Sequence, residues 1–214
     1  MAEHPWLAAY PKNIDWHAKI PVKPLPTMLA ESVARYPNNQ CLDFLGKTYT
    51  YGEIAGLVDH AAAGLQKLGV KKGSRVGLFL PNCPQFVICF FAALKAGATV
   101  ISYSPLYAED EIRNQINDSG TEIMITLDLK VLYPKIAKMV GTTTLRQLVV
   151  GTMQEVLPFP KSLLFPLVKR GDIAKTSGNH ETSFADLLAN DGNPTPVDLD
   201  PADLAVLQYT GGTT

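Results

Sequence analysis

Between Val76 and Val150, short continuously apolar segments alternate with segments of helical period, and this alternation restricts the fold more than any other property of the chain. Val76–Leu80, Ala98–Ser102, Ile123–Thr126 and Leu148–Val150 read as strands buried on both faces. Phe86–Ala96 between the first two is apolar nearly all round and predicts a buried helix, with Gly97 suited to its C′ position. Glu109, Asp110 and Glu111 place carboxylates in the first turn of the next helix, where the dipole favours them. Ile112 and Ile116 face inward along that helix, and Ser119-Gly120 closes it. Pro134–Val140 supplies a third helix, with Pro134 in its first turn. Strands and helices in this order predict an α/β fold: an open, mainly parallel sheet with helices on both faces.

The clearest helix precedes the alternation. Thr50 and Glu53 stand in the spacing of a capping box. Apolar residues then recur at Ile54, Leu57, Val58, Ala61, Leu65 and Leu68 until Gly69 ends the run. Upstream, Cys41–Leu45 and Thr48-Tyr49 around Gly46-Lys47 predict a hairpin, and a short helix runs from Thr27 to before Pro37. The expected organisation is an extended arm over 1–26, an α/β subdomain over 27–152, an irregular excursion and linker over 153–203, and a strand with a loop over 204–214. Within the excursion a short helix is expected from Ser183 to Ala189.

The 214 residues are 46% hydrophobic and 18% charged, enough for one sizeable core. A net charge of −1 argues against nucleic acid as a partner, which would require an excess of Lys and Arg. Cys41, Cys83 and Cys89 read as reduced thiols, and the scattered His4, His17, His60 and His180 have no metal-ligand spacing. No metal site is expected from the residues themselves. Glu3 and His4 interrupt any leader-like start, and the longest apolar run, Phe86–Leu94, falls far short of the roughly 20 residues that span a bilayer. The expectation is a cytoplasmic protein.

Two segments carry possible chemistry. After the apolar run Leu204–Leu207 come Tyr209, Thr210, Gly211, Gly212, Thr213 and Thr214. Glycines let a backbone approach an anion closely, and Thr hydroxyls with loop N–H groups donate to it, so Thr210–Thr214 are candidate phosphate-binding residues. Small residues after a strand also make an ordinary turn. The loop is not a Walker A motif, and no nucleophile elbow occurs. The second segment, 156–170, sets aliphatic and aromatic residues beside Lys161, Lys169 and Arg170. Leu163, Leu164 and Phe165, with Lys169 and Arg170, suit a membrane interface, and as candidate contacts they give one of two readings, a chain peripheral to a membrane. An excursion folded back on its own domain is the other reading. Its prolines argue against one continuous amphipathic helix.

Tyr209-Thr210-Gly211-Gly212-Thr213-Thr214 resembles the start of the phosphate-binding signature of adenylate-forming enzymes. That group holds acyl-CoA synthetases, luciferases and peptide-synthetase adenylation domains. With Leu207-Gln208 before it, the Gly211 variant is similar to long-chain fatty acyl-CoA ligases in particular. Further matches follow in order. Thr50–Ile54 resembles an early Thr-Tyr-x-Glu-Leu element, Arg75–Asn82 a strand and turn, and Leu94–Ala98 a Lys-Ala-Gly segment. Ser104–Tyr107 matches Asn-Pro-Leu-Tyr except at Ser104, and Asp200–Ala205 matches the approach to the loop. The resemblance covers about residues 25–214. It implies ATP-dependent activation of a fatty acid to an acyl-adenylate, then thioester formation with CoA, with ATP, Mg2+ and CoA as the small molecules bound.

The family's signature Lys, its metal-binding Glu and its adenine and ribose contacts fall after the position of Thr214. The chain is therefore expected to represent the N-terminal portion of such a ligase and to be inactive alone. A non-catalytic binding or scaffold module of the same fold is the competing reading from another class. A ligase for a medium-chain or aryl acid is the third.

Overall fold

The computed structural model describes residues 4–210. After a 3-10 turn at Pro5–Ala9 the expected extended arm is broken by two turns, closed by the Ile14 N–H on the Pro11 carbonyl and the Ala18 N–H on the Asp15 carbonyl, before α1 (Leu25–Arg35), which begins two residues before the expected Thr27. A separate antiparallel hairpin follows, β1 (Gln40–Phe44) and β2 (Lys47–Thr50). Next come α2 (Tyr51–Lys67), β3 (Arg75–Leu78), α3 (Pro84–Lys95), β4 (Thr99–Ser102), α4 (Glu109–Ser119) and β5 (Ile123–Leu127). Then follow α5 (Tyr133–Ala137), β6 (Gln147–Gly151), α6 (Lys161–Val168), β7 (Glu181–Ser183), α7 (Phe184–Leu188) and β8 (Val206–Gln208).

The main sheet has six strands in the order β7-β6-β5-β3-β4-β8, and every neighbouring pair is parallel. The chain steps one way from β3 to β4 and then reverses to β5 and β6. With right-handed crossovers, the rule for such units, this reversal puts α3 on one face and α4 and α5 on the other. A crevice therefore opens at the carboxyl ends of β3 and β4, where neighbouring connections leave to opposite faces.

Local sequence explains the individual elements. The Glu53 backbone N–H donates to Thr50 Oγ1 at 3.2 Å, and the Thr50 N–H donates to Glu53 Oε2 at 2.7 Å, so the capping box at α2 is formed. Ile54, Val58, Ala61 and Leu65 then bury one face of that helix against α3 and α7. In β5 all five residues are buried, as expected for a strand covered on both sides.

Two expectations need correction. Within α3 the residues Ile88, Cys89, Ala92, Ala93 and Leu94 are buried, but Phe86, Val87, Phe90 and Phe91 are only half-buried along its remaining side. The prolines of 156–170 do not prevent a continuous helix. Pro158 and Pro160 lie before its first turn, and Pro166 removes only the backbone bond to the Ser162 carbonyl, so eight residues stay helical. β7 and α7, from the span 153–203, join the sheet edge and the α2 side.

Gly97 has φ +83°, and a Cβ there would stand 2.9 Å from Val197 Cγ1 and 3.0 Å from Lys72 Cα. Backbone cannot yield as a side-chain tip can. Gly97→Ala is expected to cost on the order of 1–3 kcal/mol in chemical denaturation. Gly56, in the exposed middle of α2, has nothing within 4 Å of an added Cβ. There the same change should stabilise by up to about 1 kcal/mol. Equal effects at the two sites would refute this account of Gly97.

Candidate functional site

The site is built around the last strand. β8 pairs in parallel with β4, Val100 opposite Val206 and Ser102 opposite Gln208. Its entry is fixed before the ladder begins. Asp203 accepts from the Asp200 N–H at 2.8 Å, Asp200 accepts from the Ala202 N–H at 2.8 Å, and Asp203 pairs with Lys72 at 2.7 Å. The pairing with Lys72 and the hydrogen bond from the Asp200 N–H hold the Asp203 carboxyl below its usual range. Thr99 Oγ1 donates to the Leu204 carbonyl at 2.8 Å, and the Val100 N–H donates to Ala205 at 2.8 Å. The Asp200–Ala205 segment is therefore an anchor that sets where β8 ends.

At the carboxyl end of β8, Tyr209 turns its ring against α4. Its hydroxyl donates to Asp118 Oδ2 at 2.5 Å and reaches the Gln115 carbonyl at 3.4 Å. Desolvation and the Asp118 carboxylate push this phenol up to about 12, so it stays a hydrogen-bond donor throughout the physiological range. The Tyr107 hydroxyl reaches the Tyr209 carbonyl at 3.5 Å. Tyr107 belongs to the Ser104–Tyr107 turn at the carboxyl end of β4, closed by its N–H to the Ser104 carbonyl at 3.1 Å. Lys135 donates to the Pro105 and Tyr107 carbonyls at 3.3 and 3.4 Å. Behind this turn the Tyr103 hydroxyl lies 2.6 Å from Thr121 Oγ1 and 3.0 Å from Ser119 Oγ.

The candidate loop thus starts at the carboxyl end of β8, next to the crevice, as the strand–loop pattern predicts. Thr210 is exposed there. Gly211, Gly212, Thr213 and Thr214 lie outside the described residues. The second group of candidates is far in sequence and occupies α6: Leu163 and Leu164 are exposed, Phe165 is half-buried, and Lys169 and Arg170 are exposed at its end. A concavity of about 780 Å³ between α1, α2, α3 and residues 192–199 is lined by no strand-end residue.

Sequence reasoning missed a polar cluster at the carboxyl ends of β5 and β6. Gln85 Nε2 donates to the Thr152 carbonyl at 3.0 Å, and the Thr152 N–H donates to Glu155 Oε2 at 2.8 Å. Burial raises the Glu155 carboxyl and, beside it, that of Asp128. Gln85, alone among apolar neighbours at the start of α3, was the available signal. Nothing in the spacing of Lys72 and Asp203, or of Asp118 and Tyr209, foretells their meeting. Burial pushes the Cys83 thiol up to about 11 and that of Cys89 further still, which keeps both protonated. Among the described residues no three His, Cys, Asp or Glu side chains are grouped to hold a metal ion.

The family model described as AMP-binding enzyme matches residues 29–214. A long-chain-fatty-acid-CoA ligase of Bacillus subtilis is 40% identical over 220 residues, covering 100% of this chain and 39% of the relative. A 4-coumarate-CoA ligase 5 of Oryza sativa is 31% identical over 197 residues, covering 89% of this chain and 31% of the relative. The crystal structure of a long-chain-fatty-acid-CoA ligase from Archaeoglobus fulgidus superposes with a TM-score of 0.69 at 19% identity, over 92% of this chain and 36% of that one. This last likeness shows the fold. The chain spans between about a third and two-fifths of the length of these curated relatives, 31% for the rice protein and 39% for the Bacillus protein.

A carboxyl whose value is raised by folding adds stability below its unfolded value and loses it as pH rises through the folded one. Glu155 is such a group. Glu155→Gln is therefore expected to raise the melting temperature at about pH 8, with the gain shrinking by about pH 4 and vanishing at about pH 2, where the carboxyl is protonated in both states. Calorimetric melts at about pH 8 and about pH 4, with a third at about pH 2 where the carboxyl is fully protonated in both states, check this. A gain that does not depend on pH would show that burial does not hold the proton.

Proposed function

The chain belongs to the family of AMP-binding enzymes, and from that premise we propose that it is the N-terminal portion of a long-chain fatty acid-CoA ligase. The observation that supports this most directly is the convergence at β8. Segments that resemble the family's separate motifs, Leu94–Ala98, Ser104–Tyr107 and Asp200–Ala205, all serve to fix the strand that delivers Thr210. Whole-chain identity of 40% with the Bacillus ligase points the same way.

In this reading the N–H and hydroxyl groups of Thr210, Gly211, Gly212, Thr213 and Thr214 donate to the phosphate oxygens of ATP. The fatty acid carboxylate attacks the α-phosphorus and pyrophosphate leaves, giving the acyl-adenylate. The CoA thiol then attacks the acyl carbonyl and AMP leaves, giving the thioester. The chain's own contribution is positioning and neutralisation of charge that develops on the phosphates. Mg2+ would accompany the ATP phosphates and supply further neutralisation. Tyr209, held by Asp118 and Tyr107, is a positioning residue for the loop. The reading includes a cytoplasmic protein peripheral to the membrane, since long acyl chains partition into bilayers, and no nucleic-acid partner. A second reading, an aryl acid as substrate, is favoured by the similarity to the rice ligase.

ATP–pyrophosphate exchange on the gene product that contains this chain separates the readings. Exchange stimulated by palmitate, and not by 4-coumarate, is expected. Exchange with 4-coumarate alone would move the assignment to the second reading, and exchange with neither acid would overturn both. Thr213→Ala should lower kcat/KM on the order of a hundredfold, as loss of one donor to developing charge does. The 214-residue chain by itself is expected to show no exchange and no saturable micromolar site for MgATP in calorimetry.

A further inference from the structure

Helix α6 is turned inside out. Leu163, Leu164, Leu167 and Val168 stand at i, i+1, i+4 and i+5, which is one side of a helix. All four face solvent, at 64%, 49%, 74% and 74% exposure. The half-buried residues of the same helix are Ser162, Phe165 and Pro166. A helix on a water-facing surface normally shows the reverse arrangement, with its aliphatic side on the core. Phe165, a candidate from the sequence, is therefore not on the outward side, and Leu167 and Val168 take its place there.

The apolar surface continues beyond the helix. Phe159, 79% exposed, precedes it. Lys161 Nζ donates to the Leu45 carbonyl at 2.9 Å, which sets the exposed tip of the β1–β2 hairpin against the start of α6. At the other end the Lys130 N–H donates to the Asp172 carbonyl at 2.8 Å, bringing Lys130 and the exposed Val131 alongside. The charges around this patch have one dominant sign. Residues 156–171 contain no Asp or Glu, while Lys161, Lys169 and Arg170 bracket the helix and Lys130 stands beside it. The acids that adjoin it are Asp172, 3.4 Å from Lys169 in an exposed pair, which is a weak interaction, Asp43 in the hairpin, which accepts from the Gly46 N–H at 3.1 Å, and Glu155, which is turned to the Thr152 N–H.

We propose that α6, with Phe159 and the hairpin tip at Leu45, docks on the surface of an anionic lipid bilayer. The aliphatic side chains enter the boundary between headgroups and acyl chains, and Lys161, Lys169 and Arg170 meet the lipid phosphates. Eight residues make a helix of about 12 Å, which lies in the interface and cannot cross it. Among the described residues no helix is long and apolar enough to span a membrane. Basic side chains at the rim of an aliphatic face are what an anionic interface selects, because each contributes attraction near a negatively charged surface. The proposal rests on the chemistry of this surface and stands apart from the ligase assignment.

Co-sedimentation of the gene product with sucrose-loaded vesicles tests it. Phosphatidylcholine vesicles containing about one-third phosphatidylglycerol should bind the protein, pure phosphatidylcholine vesicles should bind it less, and added salt should narrow the difference. The triple variant Leu163→Ser, Leu164→Ser, Leu167→Ser should lower partitioning at least tenfold. Its melting temperature should not fall, since these side chains are exposed. The pair Lys169→Glu, Arg170→Glu should abolish the preference for the anionic vesicles. Unchanged partitioning of the triple variant would overturn the proposal. So would failure of a thiol reagent to label the Leu163→Cys and Leu167→Cys variants without vesicles, because the face would then be covered by protein. ATP–pyrophosphate exchange on the same preparations keeps the two assignments separate. A protein that binds vesicles without exchange retains the docking surface, and one that exchanges but ignores anionic vesicles loses only that surface.

Discussion

The pairing of β8 with β4 is the interaction on which the candidate site depends. β8 has only three residues, none of them buried, and it returns to the sheet after a long passage through α5, β6, α6, β7 and α7. The bond from Thr99 Oγ1 to Leu204 joins groups 105 positions apart. A strand so short gains little from its own burial and must be placed by its approach. The Lys72–Asp203 pair, the bond from Lys72 Nζ to the Asp198 carbonyl at 2.8 Å and the contact of Val197 over Gly97 do this from outside the ladder. Exposed ion pairs taken singly are worth at most about 1 kcal/mol. Here one lysine holds both a carboxylate and a carbonyl of the same segment, so its effect is to fix register rather than to add stability.

This division of labour explains why the motif-like segments read as chemistry in the sequence but act as scaffold in the structure. Lys95 pairs with Asp59 across the α2–α3 contact, and Gly97 leaves room for Val197 and the Lys72 backbone. The Ser104–Tyr107 turn supports the carbonyl of Tyr209. None of these side chains needs to touch a reacting atom. What each does is limit where Thr210 can start, and a loop that works by aiming backbone donors is sensitive to displacements of that kind.

The elements that were legible in the sequence are those whose cause is local. The capping box of Thr50 and Glu53, the stripe of α2, the acidic first turn of α4 and the hairpin at Gly46 each depend on residues within a few positions. β7 was not legible, because three half-polar residues become a strand only when β6 offers an open edge. The α6 helix was obscured by its prolines, whose effect depends on which turn they occupy. The carboxylate cluster at Glu155 was hidden for a different reason: a buried acid is recognisable only once Gln85 and Thr152 are known to enclose it.

Exposed apolar surface is not all of one kind in this fold, and the differences are physical. Phe86, Phe90 and Phe91 of α3 are half-buried and pack on one another, Phe86 on Phe90 stacked at 6.2 Å and Phe90 on Phe91 edge-on at 5.4 Å. Trp6, Tyr10 and Trp16 of the arm likewise shelter part of their area in mutual contacts at 5.0 to 6.3 Å. Aromatic rings in such clusters recover some of the cost of exposure from one another. The aliphatic side chains of α6 stand outside such clusters, and they share their surface with Lys161, Lys169, Arg170 and Lys130, which outnumber the acids Asp172 and Asp43 there. A protein groove and a lipid interface both remove aliphatic area from water. Only the lipid interface also presents a continuous sheet of phosphates for Lys161, Lys169 and Arg170 to meet. The charge pattern, more than the hydrophobicity, therefore distinguishes α6 from the other exposed apolar surfaces of the chain.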